Sequence, residues 1–500
     1  MGIQQQTVDE VEESAPPAST RALDRSLVVG LAWTGGMRWV IQVLSWLSTL
    51  VVARLVRPSD YGLMGMAMVY LGFVALINEF GIGSVIVQQR DLTEDQIARL
   101  GGLSVAVALF FFFLSLALAQ PIALFFGEPK VRAIVMVLSL SFLTSALLVL
   151  PRALLDRELQ FRRLALLDLM QALIQTVVTL AFAAIGFGYW ALVISFVGSY
   201  AVATVIALSW RHHRIAWPGD LRSLTGPVRM GWHLVVSRVA WYSYQNADFA
   251  IVGRVLGKVA LGTYTFGWTL ATVPIERVSA LVGRVAPATF SAVQNDRPAL
   301  KRYLLLITEA LAFITFPASL GLALTANDLV IVALGEEWRG AIMPLRILAL
   351  FATYRSIGTI LPHILVATRH TKQNMTYSLV ALAVLPLLFL AGSRWGTAGV
   401  AFAWVVGYPI VSSIIYRKVF RLLDTSLAEY LRALAPATTG TSAMIAAVIV
   451  VKLLVSAAHP VVRLALSVLV GAGTYVAIIW VAHRDRVEAF RSLLREIRDQ

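Results

Sequence analysis

The sequence predicts an all-α membrane protein of about fourteen transmembrane helices, arranged as two parallel six-helix repeats around a central cleft, with two more helices following them. Three observations carry this prediction. Apolar and aromatic residues make up 58% of the 500 positions and charged residues only 14%, against roughly 45–50% and about 25% in soluble domains. Apolar runs of membrane-spanning length recur along nearly the whole chain. The two halves of the chain also echo each other at a fixed offset.

Residues 1–25, with Asp9, Glu10, Glu12, Glu13, Pro16, Pro17 and Asp24, hold too little apolar surface for a core, and a disordered cytoplasmic tail is expected. No basic stretch and cleavage site of the secretory type precede the first apolar run, which is therefore expected to stay as a membrane helix. Spans are expected over 27–53, 61–83, 99–126, 131–150, 164–186, 189–210, 229–253, 259–284, 302–325, 342–367, 375–392, 396–416, 431–455 and 461–482. Breakers separate them: Arg57-Pro58-Ser59-Asp60, Gly127-Glu128-Pro129-Lys130, Gly186-Phe187-Gly188, Trp217-Pro218-Gly219-Asp220 and Asp296-Arg297-Pro298. The expected units are an N-terminal lobe over 26–210, a cytoplasmic linker over 211–228, a C-terminal lobe over 229–420, two additional helices over 421–482, and a basic amphipathic tail over 483–500.

The formal net charge of +14 would point a soluble chain toward nucleic acid, but the positions of the cations give it another meaning. Twenty-six of the 42 Lys and Arg fall in the termini and the loops after even-numbered spans, eleven in the loops after odd-numbered spans and five inside spans. Lys and Arg accumulate in cytoplasmic loops, so both termini are expected in the cytoplasm. The basic balance then reads as an orientation and lipid-headgroup signal, with no nucleic-acid partner.

The chain contains no cysteine, which excludes disulfides, iron–sulfur clusters, thiolate zinc sites and cysteine nucleophiles. H-E-x-x-H, G-x-S-x-G and P-loop patterns are absent, and Gly253–Lys258 has the wrong spacing for a P-loop. No cofactor, metal site or enzymatic activity is expected.

At an offset of 200 residues, Arg38 meets Arg238, Val52 meets Val252, Arg54 meets Arg254 and Gly62 meets Gly262. Phe126-Gly127-Glu128 is echoed by Leu334-Gly335-Glu336. Six spans per unit is an even number, so both units enter from the same side and are related by an axis along the membrane normal. A cleft between two such bundles is the place for a transported substrate.

An ionisable group at mid-bilayer costs at least ~2.5–3.5 kcal/mol and is a functional candidate by default. Arg38 and Arg238 lie deep in the first and seventh spans and are repeat mates; Arg355, Glu79, Asp248, Glu276 and Arg277 complete the candidate set. Arginine suits a diphosphate because its rigid fork makes bidentate hydrogen bonds and burial does not discharge it. The structural alternative is pairing, of Arg38 with Glu79 or of Arg238 with Asp248 or Glu276, while Arg54 and Arg254 are expected as interfacial anchors. The aromatic side chains of Trp33, Trp39, Trp46, Trp190, Trp268 and Trp404 are expected in belts or packing, with any that face the cleft able to stack on sugar rings.

Pro58-Ser59-Asp60-Tyr61-Gly62, Phe80-Gly81-Ile82-Gly83-Ser84, the arginine-rich stretch Arg152 to Arg163, Gly188-Tyr189-Trp190-Ala191-Leu192-Val193, Asp248 to Gly253, and Gly335-Glu336-Glu337-Trp338 resemble the polysaccharide-transporter branch of the multidrug/oligosaccharidyl-lipid/polysaccharide exporter superfamily. The Wzx-type flippases are the members most similar. The resemblance implies two six-helix lobes in a V, a cationic central cavity and two extra C-terminal helices. It also implies movement of an undecaprenyl-diphosphate-linked oligosaccharide across a bacterial inner membrane, for exopolysaccharide, capsule or O-antigen synthesis. The expected partners are that substrate, membrane lipids, other polysaccharide assembly proteins and a coupling ion, proton or sodium. Two alternatives stay open: a multidrug exporter of the same superfamily, which would use deep acids where this chain has an excess of deep arginines, and a polytopic polymerase or ligase, which would need a large external loop.

Overall fold

Helix ends in this protein follow capping chemistry more closely than hydropathy. The computed structural model describes residues 41–78, 82–89, 91–217 and 239–484, except positions 43, 47 and 240; a few side chains within helices, among them that of Arg277, also fall outside the described set. The helices are α1 (Pro58–Asn78), α2 (Ile82–Gln88), α3 (Glu94–Phe126), α4 (Lys130–Leu138), α5 (Leu140–Arg157), α6 (Phe161–Ala184), α7 (Tyr189–Trp210), α8 (Gly257–Ala292), α9 (Arg297–Ala333), α10 (Ile342–Gly358), α11 (Leu361–Ala367), α12 (Thr371–Gly392), α13 (Gly396–Leu422), α14 (Leu427–Leu454) and α15 (Pro460–Ala482). Thr93 with Gln96, and Ser426 with Glu429, form capping boxes that start α3 and α14. The side chain of Asp296 accepts the Ala299 N–H at the start of α9. Gly127, at φ 68°, closes α3 in the left-handed region that glycine occupies without strain.

Among the described residues, eleven stretches are long and apolar enough to cross a membrane, and Leu44–Leu55 is a shorter apolar helix. Two of the eleven, Trp241–Glu276 and Lys372–Leu422, each contain a pair of the expected spans folded back on itself. The reversals fall at a π-helical turn, Val252–Leu256, followed by Gly257 at φ 84°, and at the 3₁₀ turn Ser393–Trp395 followed by Gly396 at φ 69°. Thirteen of the fourteen expected spans are thereby accounted for, and most of the first lies outside the described residues. The protein is all-α and multi-pass, as expected.

One boundary differs from the expectation in an informative way. Residues 326–341, which fall between the spans expected over 302–325 and 342–367, are mostly helical: α9 continues to Ala333 and a 3₁₀ turn covers Glu336–Ala341. The polar end of α9 is stabilised because the buried Asp328 pairs with Lys452 of α14 at 3.2 Å and with Arg463 of α15. Lys452 also donates to the Leu324 carbonyl at 2.7 Å, and Arg463 to that of Ser456 at 3.1 Å. These contacts pin the two additional helices to the second six-helix group.

The two groups meet most closely where α1 crosses α8, and the crossing is reciprocal. A Cβ on Gly62 would lie 1.7 Å from the Lys258 carbonyl oxygen, and a Cβ on Gly262 would lie 1.8 Å from that of Pro58. Gly62 and Gly262 are the repeat mates of the sequence, and so are positions 58 and 258. Small residues at such a crossing let the backbones touch. Other bridges cluster at this Pro58 end of the bundle. Lys258 pairs with Glu128 at 2.9 Å, Trp338 Nε1 donates to the Ala53 carbonyl at 2.7 Å, and the Arg54 guanidinium donates to the carbonyls of Val332 and Ala333. The rings of Tyr61, Phe266 and Trp338 fill the seam edge-on or tilted, with centroids 4.5–5.4 Å apart. Among the described residues, these contacts close the two groups against each other at this end.

Candidate functional site

Inside the second group, three helices each contribute an i,i+4 pair to one cluster: Tyr264 and Trp268 from α8, Phe351 and Arg355 from α10, and Trp404 and Tyr408 from α13. Side chains four apart share a helix face, so each pair presents two groups to the same neighbours. Phe351 stacks on Trp404 at 5.0 Å, and Trp268 leans on Trp404 at 5.4 Å. Tyr408 meets Phe351 edge-on at 5.2 Å. The half-buried Arg355 guanidinium sits over the rings of Trp268 and Phe351, 5.6 and 5.9 Å from their centroids, and donates to Gln245 Oε1 at 3.5 Å. No carboxylate pairs with it among the described residues. Ring quadrupoles stabilise such a cation by about 0.5–2 kcal/mol without neutralising it, so its charge stays available to an anion.

Asp248 holds the platform together from behind. Its carboxylate is fully buried and accepts from Tyr264 Oη at 2.7 Å, from Trp404 Nε1 at 2.8 Å and from the Phe249 N–H at 2.9 Å. It touches neither solvent nor Arg355 and acts on the site through the two rings it orients. Removing it orphans a hydroxyl and an indole N–H, each at a cost of about 1–3 kcal/mol. Asp248→Ala is therefore expected to lower the thermal midpoint and broaden tryptophan emission, and Asp248→Asn, which keeps an acceptor, to do so less. An unchanged melting curve in both variants would mean that the carboxylate does not organise the cluster.

The other sequence candidates fall elsewhere. Glu276 is exposed, eight residues along α8 from Trp268, about 12 Å at 1.5 Å per residue. Arg38, Glu79 and Arg238 lie outside the described residues, as does the side chain of Arg277. Arg54 anchors to main-chain carbonyls, and Arg254 lies over the Phe125 ring at 5.9 Å. No cluster of three or more metal-ligating side chains occurs among the described residues. Sequence reasoning did not single out Gln245, Tyr264 or Phe351, and left Trp268 and Trp404 with the belt residues. The available signal was the aromatic partner four residues from Arg355, repeated on two neighbouring helices.

Residues 51–343, more than half the chain, match the family model described as "Polysaccharide biosynthesis protein". The chain belongs to this family. Curated relatives cover most of its length at low identity. A Klebsiella pneumoniae membrane protein of the cps region is 21% identical over 93% of this chain and 97% of its own. The lipopolysaccharide biosynthesis protein WzxC of Escherichia coli is 22% identical over 83% and 85%, and the teichuronic acid biosynthesis protein TuaB of Bacillus subtilis 23% identical over 79% and 81%. Among solved structures, the lipid II flippase MurJ in an inward closed conformation superposes with a TM-score of 0.71 at 14% identity, covering 91% of this chain and 99% of MurJ. An inward-facing multidrug MATE transporter of the MOP superfamily superposes at 0.63 with 15% identity, over 76% and 94%. This family member thus shares its fold with those two structures, and its sequence relatives are membrane and biosynthesis proteins of bacterial polysaccharides.

Proposed function

We propose that this protein flips an undecaprenyl-diphosphate-linked oligosaccharide repeat unit from the inner to the outer leaflet of the bacterial inner membrane, for exopolysaccharide, capsule or O-antigen assembly. The observation that carries the reading is Arg355: a cation within a membrane helix, without a carboxylate partner among the described residues, set on an aromatic platform. A diphosphate and several sugars cannot cross hydrocarbon, so the protein must supply charge for the phosphates and ring faces for the sugars while the polyprenyl chain stays in lipid. Arg38 and Arg238 act with Arg355 on the diphosphate. The lobes 26–210 and 229–420 rock between an arrangement closed at the Pro58 end and one open there, that end facing outward on the charge census, with both termini cytoplasmic. Energy enters through a coupling ion or through consumption of the product outside, and the chain performs no covalent chemistry.

The test is reconstitution in vesicles loaded with a lipid-linked oligosaccharide. Arg355→Ala is expected to slow headgroup translocation by about tenfold or more, since a charge-assisted bond contributes ~1.5–3 kcal/mol. Arg355→Lys recovers only part, because an ammonium lacks the bidentate fork. Arg38→Ala and Arg238→Ala are expected to behave alike. Full translocation in all three alanine variants would remove the site, and indifference to an imposed proton gradient would remove the proton as coupling ion.

A further inference from the structure

At the end of the bundle opposite Pro58, the turns before α9 and after α11 enclose a polar cavity of about 420 Å³. Gln294, Asn295, Arg297, Thr368, Arg369 and His370 supply its polar lining, and no carboxylate among the described residues lines it. Of the acids in the neighbouring turns, Asp296 caps its own helix through the Ala299 N–H at 3.0 Å and Glu429 pairs with Lys301 at 2.8 Å, while Asp424 is exposed and outside the lining. Arg369 occupies the position after a helix end with φ 61°, where glycine is the usual residue, while the His370 N–H closes the turn on the Leu365 carbonyl at 2.7 Å. The same turn follows α5, with Leu159 at φ 57° and the Gln160 N–H on the Leu155 carbonyl at 2.9 Å, so the turn belongs to the fold and here it carries an arginine to the wall of the cavity. The general excess of cations in loops on one side of a membrane accounts for two arginines here. It does not account for their convergence on a concave, acid-free pocket beside two amides, a hydroxyl and an imidazole.

We infer that this pocket is a binding site for a phosphate group, separate from the Arg355 cluster. Arg297 and Arg369 supply the charge and the amides of Gln294 and Asn295 supply neutral donors for a tetrahedral oxyanion, while the Thr368 hydroxyl, which donates to the Ile364 carbonyl at 2.7 Å, and His370 Nδ1, 3.2 Å from that hydroxyl, hold each other in the wall. The phosphate belongs either to an anionic lipid headgroup or to a phosphate compound in solution. The site stands whether or not the transport reading does, because its test measures binding alone.

The experiment uses the purified full-length protein in neutral detergent, as wild type, as the pocket variant Arg297→Gln/Arg369→Gln, and as the charge-matched control Arg417→Gln/Arg432→Gln, which alters exposed cations outside the pocket lining. Equilibrium dialysis with radiolabelled inorganic phosphate probes the soluble source. Native mass spectrometry after mixing with phosphatidylglycerol or phosphatidylcholine probes the lipid source. The expected result is one bound phosphate, or one retained phosphatidylglycerol with no retained phosphatidylcholine, in wild type and control, weakened about tenfold or more in the pocket variant. Which probe binds identifies the source. Binding of neither probe to wild type, or equal binding by pocket variant and control, would overturn the assignment.

Discussion

Replacing Gly62 with leucine is expected to stop translocation while leaving a folded, membrane-inserted protein. At this crossing the added Cβ alone would lie 1.7 Å from the Lys258 carbonyl oxygen, a main-chain atom that no rotamer change can move aside. Helices α1 and α8 must therefore separate at the Pro58 end. The bridges beside the crossing, Lys258 with Glu128, Trp338 with the Ala53 carbonyl and Tyr61 within the ring cluster, are then stretched. Overpacking of this kind costs about 1–3 kcal/mol, and here the cost falls only on the arrangement closed at that end. A bias of this size shifts a two-state equilibrium by about ten- to a hundredfold. The readout is direct because the chain contains no cysteine. Thr265→Cys places a single thiol in the seam, where the Thr265 hydroxyl is buried facing Gly65. Its labelling by a membrane-impermeant maleimide is expected to be slow on the wild-type background and about tenfold faster or more with Gly62→Leu. Gly262→Leu is expected to act the same way, because the reciprocal contact to the Pro58 carbonyl is equally close at 1.8 Å. Unchanged labelling together with unchanged transport would show that the crossing is not a gate.

The second large effect concerns the attachment of the last two helices. Asp328→Ala leaves Lys452 and Arg463 facing each other without the carboxylate they share, at positions about a quarter exposed. Stranding one side of a buried ion pair costs about 3–5 kcal/mol. Each cation keeps one main-chain carbonyl, of Leu324 and Ser456 respectively, so about 3 kcal/mol is the expectation. The variant should unfold at a clearly lower temperature in detergent and become sensitive to proteolysis in the segment between α14 and α15. Asp328→Asn, which keeps the acceptor and loses the charge, is expected to fall between. A melting curve equal to wild type would mean that hydrophobic contact alone seats α14 and α15.

These two predictions draw on different amounts of sequence information. The glycine pair was legible as a repeat: Gly62 and Gly262 stand 200 positions apart, and a repeat mate of a glycine in an apolar run implies a close approach in both halves. That the two approaches are to each other's neighbours could not be read, because periodicity describes the face of one helix and not its partner. Asp328 was legible only as a charge near a span boundary, and an expected loop hid it. Its partners are 124 and 135 residues away in the chain, in segments that looked like plain spans.

The Arg355 cluster divides in the same manner. A lone arginine in a span was visible because charge in hydrocarbon is costly, and that cost alone makes it a candidate. The platform beneath it was not visible, since Trp268, Phe351 and Trp404 are common membrane residues whose meaning depends on which helices abut. Asp248, also visible as a deep charge, holds two rings by hydrogen bonds, a role that depends on Trp404 arriving from 156 positions away.

By itself, then, the sequence determined the solvent, the helical class, the spacing of the spans and the residues whose charge is out of place, because each follows from local composition and the energetics of transfer into a bilayer. Tertiary structure alone decided which end is closed, how the last two helices are tied down and which deep charge stands without an acid partner among the described residues. Those outcomes depend on contacts between segments more than a hundred residues apart, and a side chain's partner, unlike its transfer cost, is not a property of its own stretch of chain.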